Sequence, residues 1–223
     1  MKLKVCGMHH NTPEVASLKP DYLGFIFWEG SPRNYTRDSI PELPSGNTRV
    51  GVFVDAPQEF VLEKVAQLEL GAVQLHGEES PAYCKELRDR LQPAKPVEII
   101  KAFPVGDAFD FSSLRQYLPV TDYFLFDTKG VLPGGNGRTF DWRLLEEYPF
   151  EKPFFLSGGI GEGHCEKLLE FVRSPQSRHC HAIDVNSAFE TRPGEKDTTA
   201  LGRFLQCRFW REARGKKKKL IDE

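Results

Sequence analysis

Short apolar runs recur along the chain, and most of them are separated by segments in which apolar positions lie three and four residues apart. The runs are rich in β-branched and aromatic residues, which is typical of buried strands, whereas the intervening spacing is typical of amphipathic helices. Strands are predicted at residues 3–7, 22–27, 49–54, 72–76, 97–103, 123–127, 153–157 and 182–186. Helices are predicted at residues 12–18, 57–65, 80–91, 112–118, 142–147, 166–172 and 198–210.

Strands that alternate with helices favour parallel pairing through right-handed crossovers. Eight strands in 223 residues predict a single α/β domain, a (β/α)8 TIM barrel covering residues 1–212. A doubly wound open sheet is the main alternative. The lysine-rich run 216–219 predicts a basic, flexible C-terminal tail over residues 213–223.

Side chains two positions apart share a face of a strand, so the pattern also predicts which residues face the barrel interior. If Cys6 and Asp127 face inward, Lys4, Leu125 and Tyr123 do so as well, while Phe124 and Phe126 pack against helices. The same reasoning adds further polar interior positions on the other strands: Gln74, His76, Lys101, Asp184 and Asn186.

Composition narrows the class of protein. The formal net charge of −2 argues against nucleic acid as a partner, and the apolar runs are too short to span a membrane. The five cysteines are odd in number and widely scattered, which argues against a disulfide framework and for a reducing compartment. We therefore expect a cytoplasmic protein, either a monomer or a homodimer.

Two ionisable side chains end apolar strands and could form an acid–base pair. Cys6 lies one residue before the end of the first predicted strand, and Asp127 is the last residue of the sixth. Barrel enzymes hold their chemistry at the carboxyl ends of the strands. A thiol acting as base near neutral pH needs a lowered pKa, whereas a carboxyl acting as acid needs a raised one.

Loops after three other strands suggest anion binding. Gly158 and Gly159 follow the seventh strand and precede a helix, and Asn186 and Ser187 follow the eighth, so these loops predict a phosphate site. Arg33 follows the second strand and could clamp a carboxylate through two hydrogen bonds, or else pair with a surface acid. The glycine-rich run 134–138 is expected to be a mobile lid or a plain loop.

These motifs, taken in order, resemble the phosphoribosylanthranilate isomerase family of tryptophan biosynthesis. The resemblance covers nearly the whole barrel. It runs through KVCGM at 4–8, GFIF at 24–27, SPR at 31–33, VGVFV at 50–54, VQLHGE at 73–78, DT at 127–128, GGNG at 134–137, FDW at 140–142, LSGGI at 156–160, IDVNS at 183–187, Glu190 and PGEKD at 193–197.

The resemblance implies an Amadori rearrangement of N-(5-phospho-β-D-ribosyl)anthranilate, a small phosphorylated substrate, with no cofactor and no metal. It makes Cys6 the general base and Asp127 the general acid. It assigns the substrate carboxylate to Arg33 and the phosphate to Gly158, Gly159, Asn186 and Ser187, with His76 and Asp184 as further substrate-binding residues. Asn136 and Asn186 depart from the family pattern, which has threonine and serine at these positions.

Other functions remain open at this point. A sister phosphate-binding barrel, such as the histidine-pathway aldose–ketose isomerase or a pentose-phosphate epimerase, would share the loops. A catalytically silent barrel that only binds a phosphorylated ligand or a partner enzyme is a second possibility. A metal site at Cys6, His9 and His10, or at His179, Cys180 and His181, is disfavoured because neither set predicts a tetrahedral arrangement.

Overall fold

The computed structural model of the chain describes residues 1–91, 96–130 and 139–219. Within these ranges eight parallel strands form one closed barrel in chain order, with β1 paired to both β2 and β8. The strands are β1 (Lys2–Val5), β2 (Tyr22–Phe27), β3 (Thr48–Phe53), β4 (Ala72–Leu75), β5 (Glu98–Val105), β6 (Tyr123–Thr128), β7 (Phe154–Leu156) and β8 (Cys180–Val185). All eight predicted strands are present and the barrel is confirmed, which excludes the open sheet.

Helices connect most of the strands. The α-helices are α1 (Thr12–Ser17), α2 (Gln58–Leu68), α3 (Pro81–Leu91), α4 (Cys165–Arg173), α5 (Thr198–Leu205) and α6 (Arg208–Lys219). The Ser80 hydroxyl caps the start of α3, because it accepts from the Tyr83 N–H at 3.1 Å. Two predicted helices are short 3₁₀ segments instead, at Phe111–Tyr117 and Trp142–Glu147.

The barrel interior and the layer between barrel and helices are separate apolar clusters. The interior cluster contains Leu125 and, at its margin, Tyr123, together with Tyr22, Val50, Ala72, Ile100, Ala102, Phe155 and Ala182. Phe124 and Phe126 belong to the outer cluster. The predicted alternation along β6 is therefore confirmed.

The prediction for Lys101 is wrong. Ile100 and Ala102 face the interior, so Lys101 between them faces outward, where its ammonium lies 3.1 Å from a Glu79 carboxylate oxygen. The same ammonium donates to the Gly77 carbonyl at 2.7 Å. Apolar residues occupy both faces of β5, so its sequence alone does not show which face is inside.

The predicted boundary between the barrel domain and the basic tail falls within a helix. Helix α6 continues to Lys219, and Ala213 is buried, so the tail proposed to start at residue 213 begins inside a helix. Residues 220–223 and the predicted lid at 134–138 lie outside the described residues.

One disulfide joins Cys165 at the start of α4 to Cys207 between α5 and α6. Cys6, Cys84 and Cys180 remain free. The sequence argued against a disulfide framework because its five cysteines are odd in number and widely scattered, and this bond departs from that expectation. Because α6 packs on α4, Cys207 just before α6 comes close to Cys165 at the start of α4.

A hairpin follows β8 that the pattern did not predict. Its strands, β9 (Glu190–Arg192) and β10 (Glu195–Lys196), pair in antiparallel fashion beside the carboxyl end of the barrel. Each strand is too short for hydrophobic alternation to reveal it. Over the described ranges, no helix combines the length and apolar character that a membrane crossing needs.

Candidate active site

A cavity at the carboxyl end of the barrel strands brings together most of the predicted site. Its lining includes Cys6, His76, Asp127, Gly158, Gly159, Asp184, Asn186 and Ser187. The side chain of Arg33, from the loop after β2, packs on Gly7 beside this cavity: a Cβ on Gly7 would lie 2.8 Å from Arg33 Cδ. Residues far apart in sequence meet here because parallel strands present their carboxyl ends at one rim.

Cys6 lies directly after β1 and is buried. Burial raises the pKa of its thiol, Lys4 lowers it, Asp184 raises it and Lys196 lowers it, with a net upward shift. The downward shift expected for a thiol base is therefore not present in the free protein. Removal of the thiol from water outweighs the two neighbouring cations.

Lys4 and Asp184 form a buried ion pair next to Cys6, with Lys4 Nζ 2.9 Å from Asp184 Oδ1. The other carboxylate oxygen of Asp184 accepts from the Ser157 hydroxyl at 3.3 Å. Burial raises the pKa of Asp184, against the opposing effect of Lys4. The ammonium of Lys4 and the carboxylate of Asp184 nearly cancel, so the pair adds little net charge next to Cys6.

Asp127 is held by two neighbours at the end of β6. Its Oδ1 accepts from the Thr128 N–H at 2.9 Å, and its Oδ2 lies 3.3 Å from His76 Nε2. The other ring nitrogen of His76 lies 2.7 Å from Gln74 Nε2. The resulting chain, from Gln74 through His76 to Asp127, fixes the direction of the carboxyl group into the cavity.

The loops after β7 and β8 form the opposite wall. Gly158 has a φ of +95°, and a Cβ there would lie 2.6 Å from the Thr128 backbone nitrogen. Only glycine fits this position without strain, so the close approach of the loop after β7 to the end of β6 explains one member of the glycine pair. A 3₁₀ turn, Glu162–His164, then leads into α4, which begins at Cys165, one residue before the predicted start at residue 166.

Arg33 is bound by a carboxylate to which the sequence assigned no role. Its Nη2 lies 2.6 Å from Glu190 Oε2, and its Nε lies 2.9 Å from both oxygens. Glu190 also accepts from Lys196 Nζ at 2.6 Å, and the same ammonium donates to Asn186 Oδ1 at 2.7 Å. Neither Glu190 nor Lys196 received a role from the sequence, because both come from the unpredicted hairpin.

In the part of the chain that the structure describes, no group of three or more His, Cys, Asp or Glu side chains could hold a metal ion.

The family model described as N-(5'phosphoribosyl)anthranilate (PRA) isomerase matches residues 3–207. The chain belongs to this family. An N-(5'-phosphoribosyl)anthranilate isomerase from Parabacteroides distasonis is 41% identical over 213 residues, which are 92% of each chain. The family's activity is isomerisation within tryptophan biosynthesis, and this chain is an isomerase of that pathway.

Solved structures agree with the family. The crystal structure of phosphoribosyl anthranilate isomerase from Thermotoga maritima is 31% identical and superposes with a TM-score of 0.76, covering 96% of this chain and 99% of the other. A second isomerase structure, 28% identical with a TM-score of 0.69 and the same coverage, holds reduced 1-(o-carboxyphenylamino)-1-deoxyribulose 5-phosphate.

Proposed function

We propose that Cys6 and Asp127 are the general base and general acid of the family's Amadori rearrangement in this chain. The observation that carries the proposal is that both side chains line one cavity, which also receives the loops after β7 and β8. A thiol and a carboxyl at one cavity supply the two proton-transfer groups that the reaction requires.

Asp127 acts first in the proposed sequence. Its carboxyl group gives a proton to the furanose ring oxygen as the bond from that oxygen to C1 breaks, and the nitrogen lone pair forms the Schiff base. His76 and Thr128 hold Asp127 for this step. A general acid must already point at the atom that it protonates.

Cys6 acts second. Its thiolate removes the proton from C2, the electrons move to the iminium nitrogen, and the resulting enolamine tautomerises to the ketone. Because burial raises the pKa of Cys6, only a minor fraction is thiolate at neutral pH. The higher intrinsic basicity of a thiol with a raised pKa partly offsets that small population.

The remaining predicted residues bind the substrate. We assign the phosphate to Gly158, Gly159, Asn186 and Ser187, and the anthranilate carboxylate to Arg33. His76 and Asp184 line the cavity between these ends and contact the ribose portion. The deoxyribulose 5-phosphate compound held by the related structure carries the same two anionic ends, a carboxylate and a phosphate.

The test follows the loss of phosphoribosylanthranilate fluorescence, the substrate being made in situ from anthranilate and phosphoribosyl pyrophosphate. Cys6→Ser and Asp127→Asn should each lower kcat by orders of magnitude while circular dichroism stays unchanged. Cys180→Ser and Asp141→Asn are matched controls, because Cys180 is a free thiol and Asp141 a carboxylate away from the cavity lining. Near-normal turnover in either active-site variant would reject that residue's role.

We also propose that the chain works in the cytoplasm as a monomer or homodimer, with its barrel domain ending near residue 212, and that nucleic acid is not a partner. The net charge of −2 supports the last point. Light scattering of the purified chain and a filter-binding assay with duplex DNA at low salt test the oligomeric state and the absence of nucleic-acid binding.

A further inference from the structure

Lys196 is a buried cation in the wall of the site. It is 2% exposed, and its ammonium is bound by Glu190 and Asn186 at 2.6 and 2.7 Å. Lysine is almost never buried without partners, because removing an ammonium from water costs free energy. The burial of Lys196 therefore needs contacts that offset this desolvation cost. Glu190 does not offset this cost by itself, because its carboxylate is shared: Arg33 binds both of its oxygens.

The hairpin that carries Lys196 is fastened to the segment that follows Cys6. Asn11 Nδ2 donates to the Lys196 carbonyl at 2.8 Å, and the Lys196 N–H donates to Asn11 Oδ1 at 2.9 Å. Gly194, two residues before Lys196, makes a further contact: its carbonyl accepts from the His10 N–H at 2.9 Å. The backbone of Lys196 is therefore fixed relative to the loop between β1 and α1.

Contacts at Gly7 complete the connection. A Cβ on Gly7 would lie 2.6 Å from Asn186 Oδ1, the atom that accepts from the Lys196 ammonium. Gly7 also has a φ of +72°, a conformation that favours glycine. The ammonium is thus one hydrogen bond away from a side chain that packs on the neighbour of Cys6.

The charged groups around the Cys6 thiol and the Lys196 ammonium show how a second cation acts on the thiol. Groups that act on Cys6 come from three elements and are Lys4 on β1, Asp184 on β8 and Lys196 on β10. Groups that act on Lys196 are Glu190, Cys6 and Arg33. Lys4 lowers the pKa of the thiol more than Lys196 does, but Lys4 also pairs with Asp184, whose carboxylate raises that pKa. Lys196 is therefore a second cation that acts on Cys6.

We propose that Lys196 is a positioning residue of the isomerase reaction, whose buried ammonium stabilises the thiolate of Cys6 when it removes the C2 proton. The proposal rests on the proposed role of Cys6 as base. Burial lowers the pKa of Lys196 to about 8, while Glu190 opposes the shift. The lysine therefore gives up its proton more readily than the thiol does, and once the pair has lost one proton, the minor ammonium–thiolate form is the one that acts on C2.

The experiment measures kcat/KM against pH for the wild-type chain, Lys196→Met and Lys196→Arg. In parallel, the alkylation rate of Cys6 by iodoacetamide is measured against pH by peptide mass spectrometry, which separates Cys6 from Cys84 and Cys180. Lys101→Met is the control for loss of a buried lysine, because Lys101 pairs with Glu79 on the outer face of β5. Thermal unfolding checks that each variant is folded.

In Lys196→Met both measurements should shift to higher pH by about one unit, a tenfold loss at neutral pH that recovers in alkaline buffer. Lys196→Arg keeps a permanent cation, so its thiol should titrate at or below the wild-type value. Lys101→Met should leave the titration of Cys6 unchanged.

Two results would overturn the proposal. A uniform loss of activity across pH in Lys196→Met, with alkylation unchanged, would assign the lysine a merely structural role. If Lys196→Met does not fold, Lys196→Arg decides instead. A Cys6 thiol that titrates at higher pH in Lys196→Arg than in the wild-type chain would also assign the lysine a merely structural role. A shift in the alkylation profile without a shift in kcat/KM would instead reject Cys6 as the base. In that case the proposed function would have failed, while the electrostatic coupling of Lys196 to Cys6 would stand.

Discussion

The guanidinium of Arg33 is bound by the carboxylate of Glu190, with Nη2 2.6 Å from Oε2 and Nε 2.9 Å from both oxygens. The Arg33 side chain is only 16% exposed and that of Glu190 only 5%. A carboxylate in this position orients the guanidinium through several charge-assisted hydrogen bonds before any substrate arrives. In the role proposed for Arg33, Glu190 orients the guanidinium for the substrate carboxylate without contacting the substrate itself.

Arg33→Lys should raise KM about tenfold with little change in kcat, because one ammonium cannot bind both Glu190 and a substrate carboxylate in the fork geometry of arginine. Steady-state fluorimetry gives both constants. Arg192→Lys is the control, since Arg192 pairs with Glu195 at an exposed position, and its KM should stay at the wild-type value. A drop in kcat with normal KM would show that Arg33 acts at the reacting carbons instead.

His76→Gln should lower kcat about ten- to a hundredfold with a smaller change in KM, because Asp127 loses the ring nitrogen that holds its Oδ2 at 3.3 Å. His179→Gln, at the opposite end of β8, should be silent. If kcat of the His76 variant is normal, the Thr128 N–H alone suffices to orient the carboxyl group.

The pH dependence of the wild-type chain follows from the thiol. Burial raises the pKa of Cys6, and the active form of a general base is the deprotonated one. The value of kcat/KM for the free protein should therefore rise with pH between about pH 7 and 9. A profile that is flat over that interval would contradict either the raised pKa or the role of the thiolate.

Lys4→Met should lower the free energy of unfolding by about 3 kcal/mol at neutral pH, because it leaves Asp184 buried without its cation. Burial raises the pKa of Asp184, and removal of Lys4 raises it further. The variant's stability should consequently fall as pH rises through that pKa, since the carboxylate is then charged and unpaired. Urea denaturation at several pH values measures the effect.

Lys85→Met is the control for that experiment. Lys85 and Asp89 form an ion pair of similar length, 2.7 Å, but at an exposed helix surface. Water screens such a pair, so its removal should leave the unfolding midpoint unchanged. Equal losses in the two variants would mean that burial of the Lys4–Asp184 pair has no energetic consequence.

Reduction of the Cys165–Cys207 disulfide should lower the free energy of unfolding by at most about 4 kcal/mol, the chain-entropy expectation for a closed loop of this length. The bridged residues are 42 apart in sequence. Urea melts with and without dithiothreitol give the difference, and the double variant Cys165→Ser/Cys207→Ser should show none. A reductant effect that persists in the double variant would locate the redox sensitivity in one of the free cysteines.

The sequence by itself determined the eight strands, the barrel, the family and the strand ends that carry Cys6 and Asp127. These follow from short-range patterns: apolar runs, capping residues and motifs read in order along the chain. It also correctly predicted the alternation along β6, where Asp127 marks the face that points inward.

Tertiary structure decided the rest. Lys101 faces outward because β5 is apolar on both faces, which leaves its orientation to strand pairing. The pairing of Arg33 with Glu190 and the disulfide join residues far apart in sequence. The burial of Lys196 depends on how its hairpin packs on the segment after β1, through the hydrogen bonds with Asn11. The net rise in the pKa of Cys6 likewise depends on how completely the closed barrel removes the thiol from water, a property that no local pattern encodes.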